Sequence, residues 1–387
     1  MIQLKTSLEE NGRQWLAYFG SQTDAMVDTL RQLIEMESPS GSKPDVDRLT
    51  TFVASKFAKL GGRAKRHPSH EYGDHLQIDF AGTRPTKPIL LLGHLDTVYP
   101  LGTLKTMPCK VAKGRVWGPG ALDMKSGVAL MLHVTSGLQE KGFTRPVTVL
   151  LVSDEEVGSD SSRKITESLA RKSAVVLVLE PSYGLQGAVK TARKGVGEYS
   201  IKVEGVAAHS GLDFEKGASA VLELARQIEA ISKFVDLKRG ITLNPGLIRG
   251  GTAVNVTAAE ATATFDVRIA KLSDAEVIDR KLRSLRPVDK RCKITVTGGI
   301  NRPPMERTAS GAALYGQAKA VAKGLGWKLE EAAVGGGSDG NFTSALGIPT
   351  LDGLGGVGEG AHAAHESIVI AELPRRAALL AMLINAI

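Results

Sequence analysis

VTVLLVSDEEVGSD, residues 147–160, decides the fold. Val147, Val149, Leu150, Leu151 and Val152 read as a short strand buried on both faces. Asp154, Glu155 and Glu156 follow where that strand must end. Like charges at this spacing repel, and buried carboxylates are costly unless something pairs with them. Adjacent residues on a regular strand point to opposite faces. The strand therefore stops before the doubled glutamate, and Gly158 allows the turn. The stretch demands a counter-charge.

The same grammar recurs along the chain. ILLLGHLDTVYP (89–100) places His94 and Asp96 just past a buried strand, and LVLEPS (177–182) places Glu180 past another, which Pro181 stops. GPGALDMKSG (118–127) sets Asp123 in a glycine-framed turn before a helix over 127–140. GEGAHAAHES (358–367) puts His362 and His365 in a loop. Helical periodicity covers 23–36 and 46–60. This is α/β layering, in which parallel strand ends share one edge and their side chains converge on one crevice.

The middle of the chain differs. EYSIKVEGV (198–206), TLNPGLIRGG (242–251), ATATFDVRI (261–269) and KITVTGG (293–299) read as strands. Helices are expected over 218–233 and 273–285, the latter with Ser273 as N-cap. The order β-α-β-β-α-β is that of a ferredoxin-like α+β domain. We expect it inserted at residues 192–300 between two segments of the main domain, 1–191 and 301–387. In the last segment a helix spans 309–325, IPTLDGL (348–354) is a strand, and a helix over 371–386 closes the chain.

With 387 residues, 42% hydrophobic and 23% charged, the chain has the balance of a soluble two-domain protein. Its net charge of +8 is scattered rather than clustered, which argues against nucleic acid as a partner. No apolar stretch approaches the roughly 18 residues that span a membrane. The opening MIQLKTSLEENGRQWLAYFG lacks a signal peptide's apolar core, and the two cysteines, Cys109 and Cys292, suit a reducing compartment. Cytoplasmic location is the expectation. His67, His70 and His75 lie in a polar stretch and are expected on the surface, and His133 is expected to be structural.

Two histidines and three carboxylates without cysteine suit a hard-to-borderline divalent cation. Zinc fits best, with manganese or cobalt as substitutes. Five ligands suit two metals about 3.5–4 Å apart with one bridging carboxylate. A water held between two such cations is acidified toward neutrality, and a free carboxylate beside it can carry its proton to a leaving amine.

The quoted motifs, with DEEVGS (154–159), GHLDTV (93–98) and the terminal H-x-x-H-E, resemble the co-catalytic di-zinc exopeptidases: glutamate carboxypeptidases, aminoacylases and succinyl-diaminopimelate desuccinylase. GPG before LDMKSG, GSDSSR (158–163) and LPRR (373–376) look closest to glutamate carboxypeptidases. The resemblance implies a mixed-sheet α/β/α catalytic domain and two Zn²⁺. Asp123 would bridge, His94 and Glu180 would hold one metal, and Glu156 and His362 the other. Glu155 would be the general base for a metal-bridging hydroxide, and Asp96 would orient His94. The family often has a cis peptide after the bridging Asp, here Asp123–Met124. Its terminal motif usually carries Asn where His365 stands. His209 in VAAHSG (206–211) would reach the carbonyl oxygen when the domains close, often from a partner subunit. Asn255 in GGTAVNV (250–256) and Arg268 in FDVR (265–268) would bind the substrate carboxylate, and Gly336 and Gly337 in VGGGSDG (334–340) would line the substrate end.

The implied activity is release of a C-terminal amino acid, glutamate first, from a peptide or N-acyl amino acid. The alternative is N-acyl-amino-acid deacylation at the same site, and a homodimer through the inserted domain is a further expectation. Three other readings are weaker. GGSDG (336–340) fits a serine-hydrolase motif at Ser338, with Asp352 and His362 downstream, but EEAAVGG (330–336) is a poor strand to precede a nucleophile elbow. GLGGVG (353–358) fits a dinucleotide fingerprint with no helix after it. A non-catalytic binding protein would be expected to lose the base or a ligand, and every matching position is filled.

Overall fold

Val147–Val152 is a strand of a six-stranded mixed sheet in a computed structural model that describes residues 2–387, with side chains from residue 8 onward. The sheet runs Arg63–His67, His75–Phe80, Val147–Val152, Ile89–His94, Val175–Val178, Thr350–Leu351. The first two strands are antiparallel to their neighbours, and the last four run parallel to one another. The unbroken apolar strands divide their side chains between two layers, as the period of two requires. Ile89, Leu91, Val149 and Leu177 join the core under the helices Thr23–Ile34, Ser126–Lys141 and Leu373–Ala386. Leu90, Leu92, Leu150, Val176 and Val178 pack with Ile165 and Leu169 of the helix Arg163–Lys172 on the other face.

A smaller antiparallel sheet runs Gly358–Glu359, Ser367–Val369, Arg115–Trp117, Lys110–Ala112. It pairs Ser367 with Trp117. The turn that follows Trp117 carries Asp123, and the loop before Ser367 carries His362, so this ladder brings both beside the parallel strand ends. Gly127 opens the helix after Asp123 where a Cβ would sit 2.2 Å from the Leu179 carbonyl oxygen. Only glycine lets that helix lie against the strand end that leads to Glu180.

All of this belongs to one compact unit: the residues through Ala192, Arg307–Ala333 and Ser338–Ile387. The other unit comprises Arg193–Glu306 and Val334–Gly337. Its antiparallel sheet runs Thr242–Gly250, Glu260–Ile269, Gly195–Glu204, Lys293–Arg302. In chain order that is second, third, first, fourth, with helices Ala220–Ser232 and Ser273–Arg283 in the connections. Alternate residues Tyr199, Ile201, Val203, Ala261, Ala263, Phe265 and Val267 face those helices through Leu224, Ile231, Ile278 and Leu282. Ser219 caps the first helix by accepting the Leu222 N–H at 3.2 Å.

Three expectations need correction, and one helix goes beyond them. Ser273 is no N-cap: Leu272 is already helical, and its N–H is met instead by Glu306 Oε1 at 3.0 Å. EEAAVGG does contain a strand, Glu331–Val334, which pairs with Val189–Arg193 despite its weak propensity. Ile2–Ser21, read only for what it lacks, is a helix whose Trp15 and Phe19 are buried. His75 is 1% exposed rather than on the surface. Its strand turns it inward, where Nδ1 accepts the Ser153 N–H at 3.2 Å and burial holds its imidazole below the ordinary range. His133 packs against Thr29, its Nε2 2.9 Å from the hydroxyl, and burial lowers it to about 4.

Candidate metal centre

Three neighbouring parallel strands end on one edge, and each ends in chemistry. Ile89–His94 terminates in His94 itself, and Val175–Val178 leads to Glu180 two residues on. Val147–Val152 gives way to a single tight turn, Glu155–Val157, closed by Gly158 at φ 109°. The doubled glutamate therefore sits on a turn, and both side chains can face the same crevice. His362 holds a left-handed backbone, φ 62°, one residue beyond Gly360 and Ala361. For a non-glycine residue that conformation is uncommon and is retained where the surroundings dictate it.

The groups converge in two sets that share Asp123. His94 Nε2 lies 3.2 Å from Asp123 Oδ1 and 3.5 Å from Glu180 Oε1. His362 Nε2 lies 3.3 Å from Asp123 Oδ2 and 3.3 Å from Glu156 Oε2. Each oxygen of Asp123 thus faces a different imidazole. Metal bonds of about 2.0–2.1 Å in a tetrahedral shell hold their ligand atoms about 3.3 Å apart. In each set the imidazole nitrogen stands at about that spacing from both carboxylates, and Glu156 Oε1 is buried with no hydrogen-bond partner among the described residues. The donors are nitrogen and oxygen only, which suits zinc, cobalt or manganese. Glu155 is also in reach: donor atoms of His94, Glu155 and Glu180 lie within 4.8 Å of one another. His362 rather than His365 supplies the imidazole next to Glu156.

His94 is set for ligation. Its Nδ1 is 2.9 Å from the Asp96 carbonyl oxygen, an acceptor that keeps the proton on that nitrogen, so Nε2 is the one left to ligate once its own proton is shed. It is the Asp96 main chain that makes the shorter contact; the carboxylate stands 3.5 Å away. The Asp96 carboxylate accepts the N–H groups of Glu155 and Glu156, both at 3.2 Å, and the Ser40 hydroxyl at 2.7 Å. Asp96 therefore fixes the glutamate turn as well as the imidazole. Asp154, left without a role above, is fully buried: its Oδ2 accepts from Ser161 N–H, Ser161 O–H and Ser162 N–H. Two backbone N–H groups and a hydroxyl answer one oxygen of this first acid, and its Oδ1 is buried with no hydrogen-bond partner among the described residues.

The electrostatics follow from crowding. Hydrogen bonds to Asp123 and Glu156 push His362 up to about 10. Burial opposes charge on His94, but its bonds to Asp123, Asp96 and Glu180 outweigh that and raise it well above the ordinary value. Burial likewise opposes ionisation of Asp123, yet the two imidazoles hold its carboxyl well below the usual range. Burial raises Glu156.

A model of peptidase family M20/M25/M40 matches residues 90–386. The chain belongs to this family. It is a metallopeptidase with the α/β catalytic domain and inserted domain of that family. Carboxypeptidase G2 of Pseudomonas sp. (strain RS-16) is 29% identical over 379 residues, 95% of this chain and 91% of the relative. Aminopeptidase PepT from Bacillus cereus superposes with a TM-score of 0.76 at 22% identity, covering 94% of this chain and 98% of that one. Bacillus subtilis YXEP, a dinuclear metal-binding M20 peptidase, gives 0.71 at 13% identity, covering 94% and 98%.

The remaining site candidates of this M20 peptidase, Ser338 excepted, lie in the other unit and are described there. His209 is exposed, and its Nδ1 accepts the N–H groups of Gly211 and Leu212. Asn255 is its neighbour: the Asn255 carbonyl accepts the Ser210 N–H at 3.0 Å, and His209 bridges to Val256. Arg268 is half-buried with Nε and Nη2 on the Asp266 carboxylate at 2.8 and 2.7 Å. The carbonyls of Gly336 and Gly337 accept from Arg193 Nη1. Ser338 is fully buried, and its hydroxyl donates to Asp352 at 2.6 Å, a partner that cannot serve as the histidine base of a triad.

Metal ligands must shed their protons. Zinc added to the metal-stripped protein at about pH 7.5 should therefore displace protons held by His362 and His94. Calorimetry in buffers of different ionisation enthalpy reads this directly. A binding heat independent of buffer would mean that neither imidazole titrates with the metal.

Proposed function

We propose that this metallopeptidase holds two zinc ions and cleaves an amide bond next to a free carboxylate, releasing a C-terminal amino acid, glutamate first. The observation that carries the reading is Asp123, whose two oxygens face two imidazoles, each with a second carboxylate beside it. His94, Asp123 and Glu180 would hold one ion, and His362, Asp123 and Glu156 the other. Such a pair supplies Lewis acidity, acidifying water and polarising the scissile carbonyl. Glu155 takes the proton from the attacking water and returns it to the departing amine, with its backbone pinned by Asp96. Arg268 and Asn255 bind the substrate carboxylate, and His209 the carbonyl oxygen. The guanidinium has five N–H donors, so pairing with Asp266 leaves others for a substrate.

The glutamate preference rests on motif likeness to glutamate carboxypeptidases, and likeness to carboxypeptidase G2 favours a carboxypeptidase. N-acyl-amino-acid deacylation uses the same bond chemistry and is the second reading. We assign a homodimer to the second unit, where the outer strand Thr242–Gly250 leaves Leu247 and Ile248 60% and 63% exposed.

A chelator should abolish hydrolysis and zinc or cobalt should restore it. Glu155→Gln should lower kcat roughly 10²–10⁴-fold while elemental analysis still finds two metals. Loss of metal in Glu155→Gln but not in Glu156→Gln would exchange their roles. Arg268→Ala should raise KM roughly 10–100-fold for free-carboxylate substrates. An equal rise for the corresponding esters would remove Arg268 from carboxylate recognition. A substrate set varying the acyl group and the C-terminal residue separates the two readings. Sedimentation equilibrium should give twice the monomer mass, and a monomer would discard the proposed interface.

A further inference from the structure

Glu366 follows the two loop histidines and has no assigned task. It is fully buried. Its Oε1 accepts the N–H groups of Leu122 at 2.7 Å and Asp123 at 2.8 Å. Its Oε2 accepts the Gly120 N–H at 3.1 Å and the Tyr99 hydroxyl at 2.6 Å. An ionised carboxylate offers about four lone-pair sites, and here all four meet donors. Three of those donors are main-chain groups of the turn that presents Asp123. The fourth, Tyr99, lies five residues beyond His94 on the same chain segment and also reaches the Ala363 carbonyl at 3.0 Å.

We propose that Glu366 is a positioning residue for the metal pair: it locks the Asp123 turn to the His362 loop, so that both oxygens of Asp123 face their imidazoles at once. The inference rests on the two-metal reading above. Its physical basis is that a bridging carboxylate must satisfy two centres with one rigid group, so a small rotation of its main chain misplaces both oxygens together. Sequence distance cannot supply that rigidity, because 243 residues separate Asp123 from Glu366. The hydrogen bonds supply it directly, and the same seven-residue loop that gives one imidazole also sets the shared carboxylate. Glutamine has the same shape but puts an NH₂ against N–H or O–H donors on one side. Aspartate is one methylene too short to meet both sets of donors.

The test uses the full chain, stripped of metal and titrated with cobalt while its visible d–d absorption is recorded. Wild type should take up two cobalt ions. Glu366→Gln should weaken uptake at both sites together by roughly 10–100-fold and alter the cobalt spectrum. After reloading at high cobalt it should show a lowered kcat with KM little changed. His362→Ala is the contrast and should weaken one site far more than the other. Tyr99→Phe removes a single donor, is expected to fold, and should weaken both sites several-fold. A folded Glu366→Gln protein with wild-type cobalt affinity, stoichiometry and spectrum overturns the proposal, whatever its thermal stability. If that variant does not fold, wild-type cobalt binding by Tyr99→Phe overturns it instead. Failure of the wild type to bind two cobalt ions would sink the two-metal reading itself, which separates the two outcomes.

Discussion

Negative charge withdrawn from water is the constraint on which this structure depends. Asp96, Asp154, Glu155, Glu180 and Glu366 are all buried, and Asp123 and Glu156 lie close to them. A carboxylate in such surroundings needs hydrogen bonds or a cation. The chain divides the task. Asp96, Asp154 and Glu366 are answered by backbone N–H groups and hydroxyls, so they act as fasteners. Asp123, Glu156 and Glu180 are answered by imidazoles, and each imidazole stands from its two carboxylates at about the spacing of ligands around one ion. The inner acids hold the turns that carry the outer ones.

Two sheets cooperate in this. Parallel strands deliver His94, the Glu155–Glu156 turn and Glu180 from neighbouring strands, because parallel strands place their C-terminal ends on one edge. They cannot deliver Asp123 or His362, which lie on connections outside the sheet. The small antiparallel ladder does so, through the pairing of Trp117 with Ser367. Gly127 then allows the helix after Asp123 to close on Leu179. A bridging ligand is thus placed by elements that the parallel sheet alone does not contain.

The layer order, the inserted four-stranded unit and the acidic strand ends were legible because each rests on local pattern. Unbroken apolar runs mark strands covered on both faces, and alternation marks the strands of the second unit. Legibility failed where tertiary packing outweighed propensity. Glu331–Val334 is a strand because Val189–Arg193 offers it an edge. His75 is buried because its strand turns it inward, although the stretch that leads into it is polar. Ser273 does not cap because Glu306, distant in sequence, meets the helix start first. Asp154 and Glu366 were quoted inside motifs, but their partners were invisible: a hydrogen bond to a main-chain N–H leaves no mark in side-chain identity.

By itself, the sequence determined that histidines and carboxylates follow successive buried strands, and hence that their charge requires a cation. That conclusion needs only the period of a strand and the penalty for burying charge. Tertiary structure alone decided which atoms face which. It set the two oxygens of Asp123 against two imidazoles, turned the Asp96 main chain rather than its carboxylate toward His94, and chose His362 over His365. These outcomes depend on differences of about an ångström between groups far apart in the chain. Such distances are set by the summed packing of sheet, ladder and turn, not by any one segment.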